Sequence, residues 1–224
     1  MPRLCAPRDL KCSSRLEACL LRRGVRFVAG TDEAGRGSLL GPLYVAAVIL
    51  DAARPICGLN DSKKLSPQAR SSFSDEIRQK AIAWQVMAVP AKEVDDLNVY
   101  EATRQAMIRS LLALDPQPEF ALADAMPLQN GRRHGFSIPY WSLIHGDARS
   151  VSIAAASILA KVARDEHLDR LAREYPQYGL ARNKGYGTRD HLDALARYGP
   201  CPEHRRTYQP VKDMLTPTLP FGSA

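Results

Sequence analysis

The chain carries no C-x-x-C pair and no group of cysteines and histidines at zinc-binding spacing, and its five cysteines are an odd number. Those absences argue against a disulfide framework and a structural zinc site, and for reduced thiols in a cytoplasmic protein. Cys5, Cys12 and Cys19 recur every seven residues, but three positions are too few for a coiled coil. No apolar run is long enough to span a bilayer: the longest, around residues 39–50, is broken by Gly41 and Pro42. The N-terminus is basic but lacks the apolar core of a signal peptide, while its scarcity of acids leaves a transit peptide open. Repeats, low-complexity linkers and the G-x-x-x-x-G-K-[ST] phosphate loop are missing as well.

What is there belongs to a folded, globular chain. The 224 residues are 45% hydrophobic and 25% charged, enough to bury one good core, or a core with a small appendage. The formal net charge is +7, and much of it lies at the start. Arg3, Arg8, Lys11, Arg15, Arg22, Arg23 and Arg26 face only Asp9 and Glu17 there, which suits a solvated arm or a phosphate-contacting one equally.

Apolar patterning predicts strands over residues 26–31, 43–50, 84–89, 120–123 and 139–145. Ser66-Pro67 starts a helix to about residue 82, and Asn98 caps another to about 114. The alanine-rich stretch from Ser150 is the clearest helix, and a shorter one covers 188–197. A hairpin followed by alternating strands and helices indicates an α/β fold, with a mixed sheet and helices packed on it.

Three of these strands stop at an acid. Asp32 and Glu33 close the first, Asp124 closes "FALAD", and Asp147 falls between the last strand and the long helix. Side chains at strand ends converge from separate segments. Carboxylates brought together raise one another's pKa unless a cation compensates, and an all-oxygen set suits Mg²⁺ or Mn²⁺ rather than zinc. Neighbours in a regular strand point to opposite faces, so Asp32 and Glu33 share a site only if the strand is ending, where Ala34-Gly35 lets the chain turn. Each acid also has a duller reading: Asp147 as a helix cap, Asp124 as a turn residue, Asp32-Glu33 as an exposed strand end. Asp95-Asp96 and Asp165-Glu166 read as solvated helical faces.

Gly35-Arg36-Gly37 offers bare backbone for close approach to a ligand, with Arg36 as a bidentate phosphate donor or else a surface residue of a tight turn. Lys184 precedes Tyr186, which stands between two glycines and is suited to stacking on a base or sugar, or to burial in a loop. His191 and His204 look too isolated to be ligands. "HRRTY" at 204–208 reads as a phosphate-facing strip or plain surface, and Ser62-Lys63-Lys64 is equally ambiguous.

Five ordered blocks, "GTDEAGRG", "NDSKKLS", "HGDARSVSIAAASILAKVARD", "YPQYGLARNKGYGT" and "GPCPEHRRTY", resemble the signatures of bacterial ribonuclease HII and span residues 30–208. The resemblance implies a ribonuclease-H-like fold with a helical C-terminal extension, divided as a basic arm over 1–26, a catalytic domain over 27–185 and an extension over 186–224. It implies a monomeric cytoplasmic endonuclease, dependent on Mn²⁺ or Mg²⁺ at a two-metal site, cutting the RNA strand of RNA–DNA hybrids and single ribonucleotides in duplex DNA. The ends left would be 3′-hydroxyl and 5′-phosphate. Asp32, Glu33, Asp124 and Asp147 would bind the metal and catalyse. Gly35, Arg36 and Gly37 would sense the ribose 2′-hydroxyl, Tyr186 would stack on the sugar, and Lys184 with the basic arm would hold backbone. An integrase-like nuclease would share the acids but cut all-DNA substrates, and a hybrid-binding protein would need no acids. Neither the preferred metal nor a clamp-type replication partner is specified by the sequence. Two positions depart from the family pattern: Ala125 stands where glycine is usual, and Ser38 where proline is common after "GRG". Ala125 carries a cost if its φ is positive.

Overall fold

Residues 43–49 alternate in what they meet. Leu43, Val45, Ala47 and Ile49 enter one apolar cluster, and Tyr44, Ala46 and Val48 another. A strand buried on both faces with period two is the centre of a sandwiched sheet. The computed structural model describes residues 12–128 and 136–216. Arg3, Arg8 and Lys11 of the basic arm, and the tail past Thr216, lie outside them.

The sheet has five strands, β1 (Val28–Ala34), β2 (Leu43–Ile49), β3 (Ala83–Val89), β4 (Phe120–Asp124) and β5 (Tyr140–Leu143), in the order β3-β2-β1-β4-β5. The β1–β2 and β2–β3 pairs are antiparallel, whereas β4 runs parallel to both β1 and β5. Among the described residues eight α-helices accompany the strands: α1 (Arg15–Leu21), α2 (Pro67–Lys80), α3 (Ala91–Leu97), α4 (Val99–Leu112), α5 (Val151–Glu174), α6 (Leu180–Asn183), α7 (Arg189–Tyr198) and α8 (Val211–Leu215). One sheet face packs on α4 through Ala102, Ala106, Met107 and Leu111. The other packs on α5 through Ala154, Ala155, Ile158 and Leu159.

The expected caps are formed. Ser66 accepts from the Ala69 amide, Asn98 from Glu101, Ser150 from Ile153 and Thr188 from His191. The first strand runs farther than expected, to Ala34, so Asp32 and Glu33 are paired members of β1 opposite Ala46 and Val45 rather than a strand terminus. The short helix α3 is not among the helices expected from the sequence. No helix of the described residues is long and apolar enough to cross a membrane.

Candidate active site

The parallel register of β1 and β4 ends in step. Thr31 lies opposite Ala123, so the next residues, Asp32 and Asp124, stand side by side. Both belong to the pleat that faces α5, as do Ala34 and Leu122, which pack on that side. Glu33 belongs to the opposite pleat, yet its charge acts on Asp32 and it feels that of Asp124. Asp147 arrives from a 3₁₀ turn (Gly146–Ala148) just before α5, and Ser150, not Asp147, caps that helix. The amide of Gly146 donates to Asp124 Oδ1 at 2.6 Å, tying the turn to the β4 end. Asp32 Oδ1 accepts from the Glu33 amide at 2.7 Å, and the Ser157 hydroxyl on α5 stands near enough to favour its charged form.

All four carboxyl groups are held above their ordinary range. Burial is the first cause for each. Glu33 and Asp124 then push Asp32 up further, and Asp124 does the same to Glu33 and Asp147. Burial and like charge together favour the neutral form, so the cluster lacks positive charge. Some is supplied by Lys63, whose ammonium is pushed up by Asp147, Asp61, Asp32 and Asp124 against its own burial. Asp61 and Lys63 are site residues that sequence patterning passes over or leaves ambiguous. Ser62 Oγ lies 3.0 Å from Ser157 Oγ, so α5 holds the segment bearing Lys63.

The acids fit a hard divalent cation on their chemistry: every donor is oxygen, and Glu33 Oε2 is buried without a hydrogen-bond partner. Among the described residues no three His, Cys, Asp or Glu side chains close into a ready ligand set.

Beside the acids stand two loops. Gly35 has φ +91°, and a Cβ there would meet Arg164 Nε at 2.0 Å, so glycine is required twice over. Gly37 is different: a Cβ would meet nothing within 4 Å, leaving its surface open. Arg36 turns back on Glu33 at 3.6 Å, while its carbonyl accepts from Arg205 Nη1 and from the Tyr208 hydroxyl. In the second loop Lys184 bonds Asp169 and its carbonyl accepts from Arg164 Nη2. Gly185 accepts from the amides of Leu39 and Leu40. Tyr186 is 40% exposed, its ring 5.4 Å from the Arg164 guanidinium carbon. Two fully buried arginines, Arg164 and Arg205, therefore underlie both loops.

Several expectations need correction. "HRRTY" is not a surface strip at its core: Arg205 is fully buried and bonds the Gly41 carbonyl through Nε and Nη2. His191 and His204 are not isolated; their Nε2 atoms lie 3.2 Å apart. Asp95 is not a free helical face, since it accepts from the amides of Arg206 and Thr207 and from the Thr207 hydroxyl. Ala125 does sit at positive φ, +44°, directly after Asp124. Ser38 is buried, and its hydroxyl donates to the Gly35 and Leu40 carbonyls, which a proline could not do.

A mixed sheet of this order, with acids in the C-terminal halves of its central parallel strands, is the ribonuclease-H-like arrangement. The chain shares it with the ribonuclease H2 of Pyrococcus horikoshii OT3, at 25% identity and TM-score 0.72 over 84% of this chain and 97% of that one. The enzyme in the PCNA:RNase HII complex from Archaeoglobus fulgidus is similar as well, 27% identical with TM-score 0.71 over 82% and 96%. A ribonuclease HII from Solibacter usitatus (strain Ellin6076) is 48% identical over 202 residues, 90% of this chain and 86% of the relative. The family model for ribonuclease HII matches residues 29–211. The chain belongs to the ribonuclease HII family, endonucleolytic hydrolases that act on the RNA of RNA–DNA hybrids.

Proposed function

We propose that this enzyme is a divalent-metal-dependent nuclease that cuts both hybrid RNA strands and single ribonucleotides embedded in duplex DNA. The observation that supports the reading is that Asp32, Glu33, Asp124 and Asp147 lie near enough to one another to be pushed toward the neutral form, with a buried Glu33 oxygen left without a partner. These four would hold Mn²⁺ or Mg²⁺, as a pair of ions. Bound there, the ions supply charge that lowers the pKa of water and stabilises the leaving oxygen.

The protein's own residues do the rest. The Glu33 amide would orient Asp32 and the Gly146 amide Asp124, which limits the motion needed to close the carboxylates on an ion. A water oxygen attacks phosphorus, the bond from phosphorus to the 3′-oxygen breaks, and the ends are 3′-hydroxyl and 5′-phosphate. The open backbone at Gly37, with Gly35 and Arg36, would read the 2′-hydroxyl, the group that distinguishes RNA from DNA. Tyr186 would stack on the sugar through its exposed ring, and Lys63 and Lys184 would face backbone phosphates. Removal of ribonucleotides from DNA, by a monomer in the cytoplasm, is the role these features suit.

The test is a DNA duplex containing one ribonucleotide beside an all-DNA duplex, with Mn²⁺ or with EDTA, for the wild type and Asp32→Asn. Cutting at the ribonucleotide alone, only with metal and only by the wild type, is expected. Cutting of the all-DNA control overturns the sugar reading, and cutting in EDTA overturns the metal.

A further inference from the structure

His191 and His204 are both fully buried, and neither belongs to the acid cluster. Every nitrogen of the pair has a partner, and the partners fix the tautomers. The Cys201 amide donates to His204 Nδ1 at 3.0 Å, so that nitrogen carries a lone pair and the proton of a neutral ring sits on Nε2. His191 Nδ1 lies 3.0 Å from the Tyr186 carbonyl, an acceptor, so it carries the proton and its Nε2 is bare. The two Nε2 atoms, 3.2 Å apart, then match: His204 Nε2–H donates to His191 Nε2. One directed chain of hydrogen bonds runs from the Cys201 amide through His204 and His191 to the Tyr186 carbonyl.

The nitrogen spacing would also admit a metal between the rings. Cys201 Sγ, however, lies on the Nδ1 side of His204, 3.2 Å from that atom, and among the described residues no third His, Cys, Asp or Glu completes a set. Both rings instead pack edge-on against Tyr178, as a structural pair would.

The far end of the chain is the loop that displays Tyr186. Its carbonyl accepts from His191 and from the Thr188 amide, and its amide donates to the Asn183 carbonyl, so bonds to its main chain, together with the Arg164 guanidinium beside the ring, aim the exposed side chain. The near end is tied to the other loop: His204 pairs with Leu40, and the Arg205 amide donates to the Leu39 carbonyl. Resting on the stacking role given above to Tyr186, we infer that His191 and His204 are positioning residues, a neutral relay that holds the Tyr186 loop in register with the Gly35–Gly37 loop. Losing the His204 donor leaves the buried His191 Nε2 unpaired, and losing the His191 donor leaves the Tyr186 carbonyl held by the Thr188 amide alone.

Two measurements test this. Long-range ¹⁵N–¹H correlation spectra of the metal-free protein at neutral pH, read without substrate, should show His191 protonated at Nδ1 and His204 at Nε2. The opposite tautomers, or a doubly protonated ring, overturn the relay. Cleavage of a ribonucleotide-containing duplex is then measured for His191→Phe, which keeps the shape without the donor, and for His191→Asn, whose amide can reach the same carbonyl. We expect kcat/KM to fall about tenfold for the first and largely recover for the second, a loss on the scale of a modest misplacement. In a Tyr186→Ala background the His191→Phe loss should vanish, since both changes act through one ring. An undiminished loss there means that the pair supports the fold alone and overturns the inference. A Tyr186→Ala protein that cuts as the wild type does overturns the stacking role, and with it the link to catalysis; the nitrogen spectra would still decide the relay.

Discussion

Gly30 in β1 lies so close to the first turn of α5 that a Cβ would stand 2.1 Å from the Ser152 carbonyl carbon and 2.3 Å from the Ile153 amide nitrogen. The long helix thus rests on bare backbone two residues before Asp32, and that closeness brings Ser157 to the carboxylate. The obstructing atoms are main chain and cannot swing aside. Gly30→Ala should therefore cost more than about 3 kcal/mol or prevent folding, an overpacked and strained core being at the severe end of single substitutions. Denaturant unfolding, or the soluble yield, checks it; a stability loss of less than about 1 kcal/mol would contradict the packing.

Ala125 presents the opposite case. Its φ of +44° is a region where a Cβ crowds the backbone, and it follows Asp124 directly. Ala125→Gly should stabilise the fold by about 0.5 kcal/mol, the strain relieved slightly exceeding the entropy gained by the unfolded chain. Urea unfolding at constant m-value is the measurement.

Asp32→Asn removes one charge from a cluster whose members repel. Without metal the variant should be more stable than the wild type, by on the order of 1 kcal/mol, or about 2–4 °C for a chain of this size. Mn²⁺ should raise the wild-type melting temperature and leave the variant's nearly unmoved, because the ion stabilises only what binds it. Cleavage should fall by more than about a hundredfold, since losing a residue that merely supports a metal ligand already reaches that scale. Calorimetry with and without Mn²⁺, together with the cleavage assay, decides the three points.

Burial pushes the His204 imidazole down to about 4 from its ordinary 6.5, and His191 moves down for the same reason. Between those values the unfolded chain takes up a proton that the folded one refuses. Stability from His204 is thus complete above 6.5 and is lost as pH falls toward about 4, and His191 acts in the same direction. The raised carboxylates of the acid cluster work in the other direction, so the comparison must be differential. The gap in melting temperature between wild type and His204→Gln should narrow from about pH 7.5 to about pH 5. A gap that stays constant or widens would mean that the ring is protonated in the fold.

Features settled within three or four residues are legible in the sequence itself. Ser66, Asn98, Ser150 and Thr188 cap helices because a short polar side chain meets an amide three residues on, whatever the rest of the chain does. The β2 strand is evident from its Val-Ile-Tyr content, and the acids Asp32, Glu33 and Asp124 stand out because charge at the end of an apolar run demands compensation. Helix α3 escapes such patterning because Pro90 supplies no side-chain cap and its seven residues bury little beyond Ala91 and Val94.

Contacts between distant segments belong to the tertiary structure alone. Nothing in "HRRTY" distinguishes Arg205, fully buried beneath Gly41, from Arg206, exposed beside it, until the chain returns to place a carbonyl against one of them. The same holds for His191 and His204, thirteen residues apart and joined only because the chain folds back from α7. It holds for Lys63, whose charge matters because the Ser62–Ser157 bond lays its segment beside the acids. Composition and periodicity report how each segment treats water. Which buried donor finds which acceptor depends on the whole chain closing around it, since a polar group leaves water only where a partner is already in place.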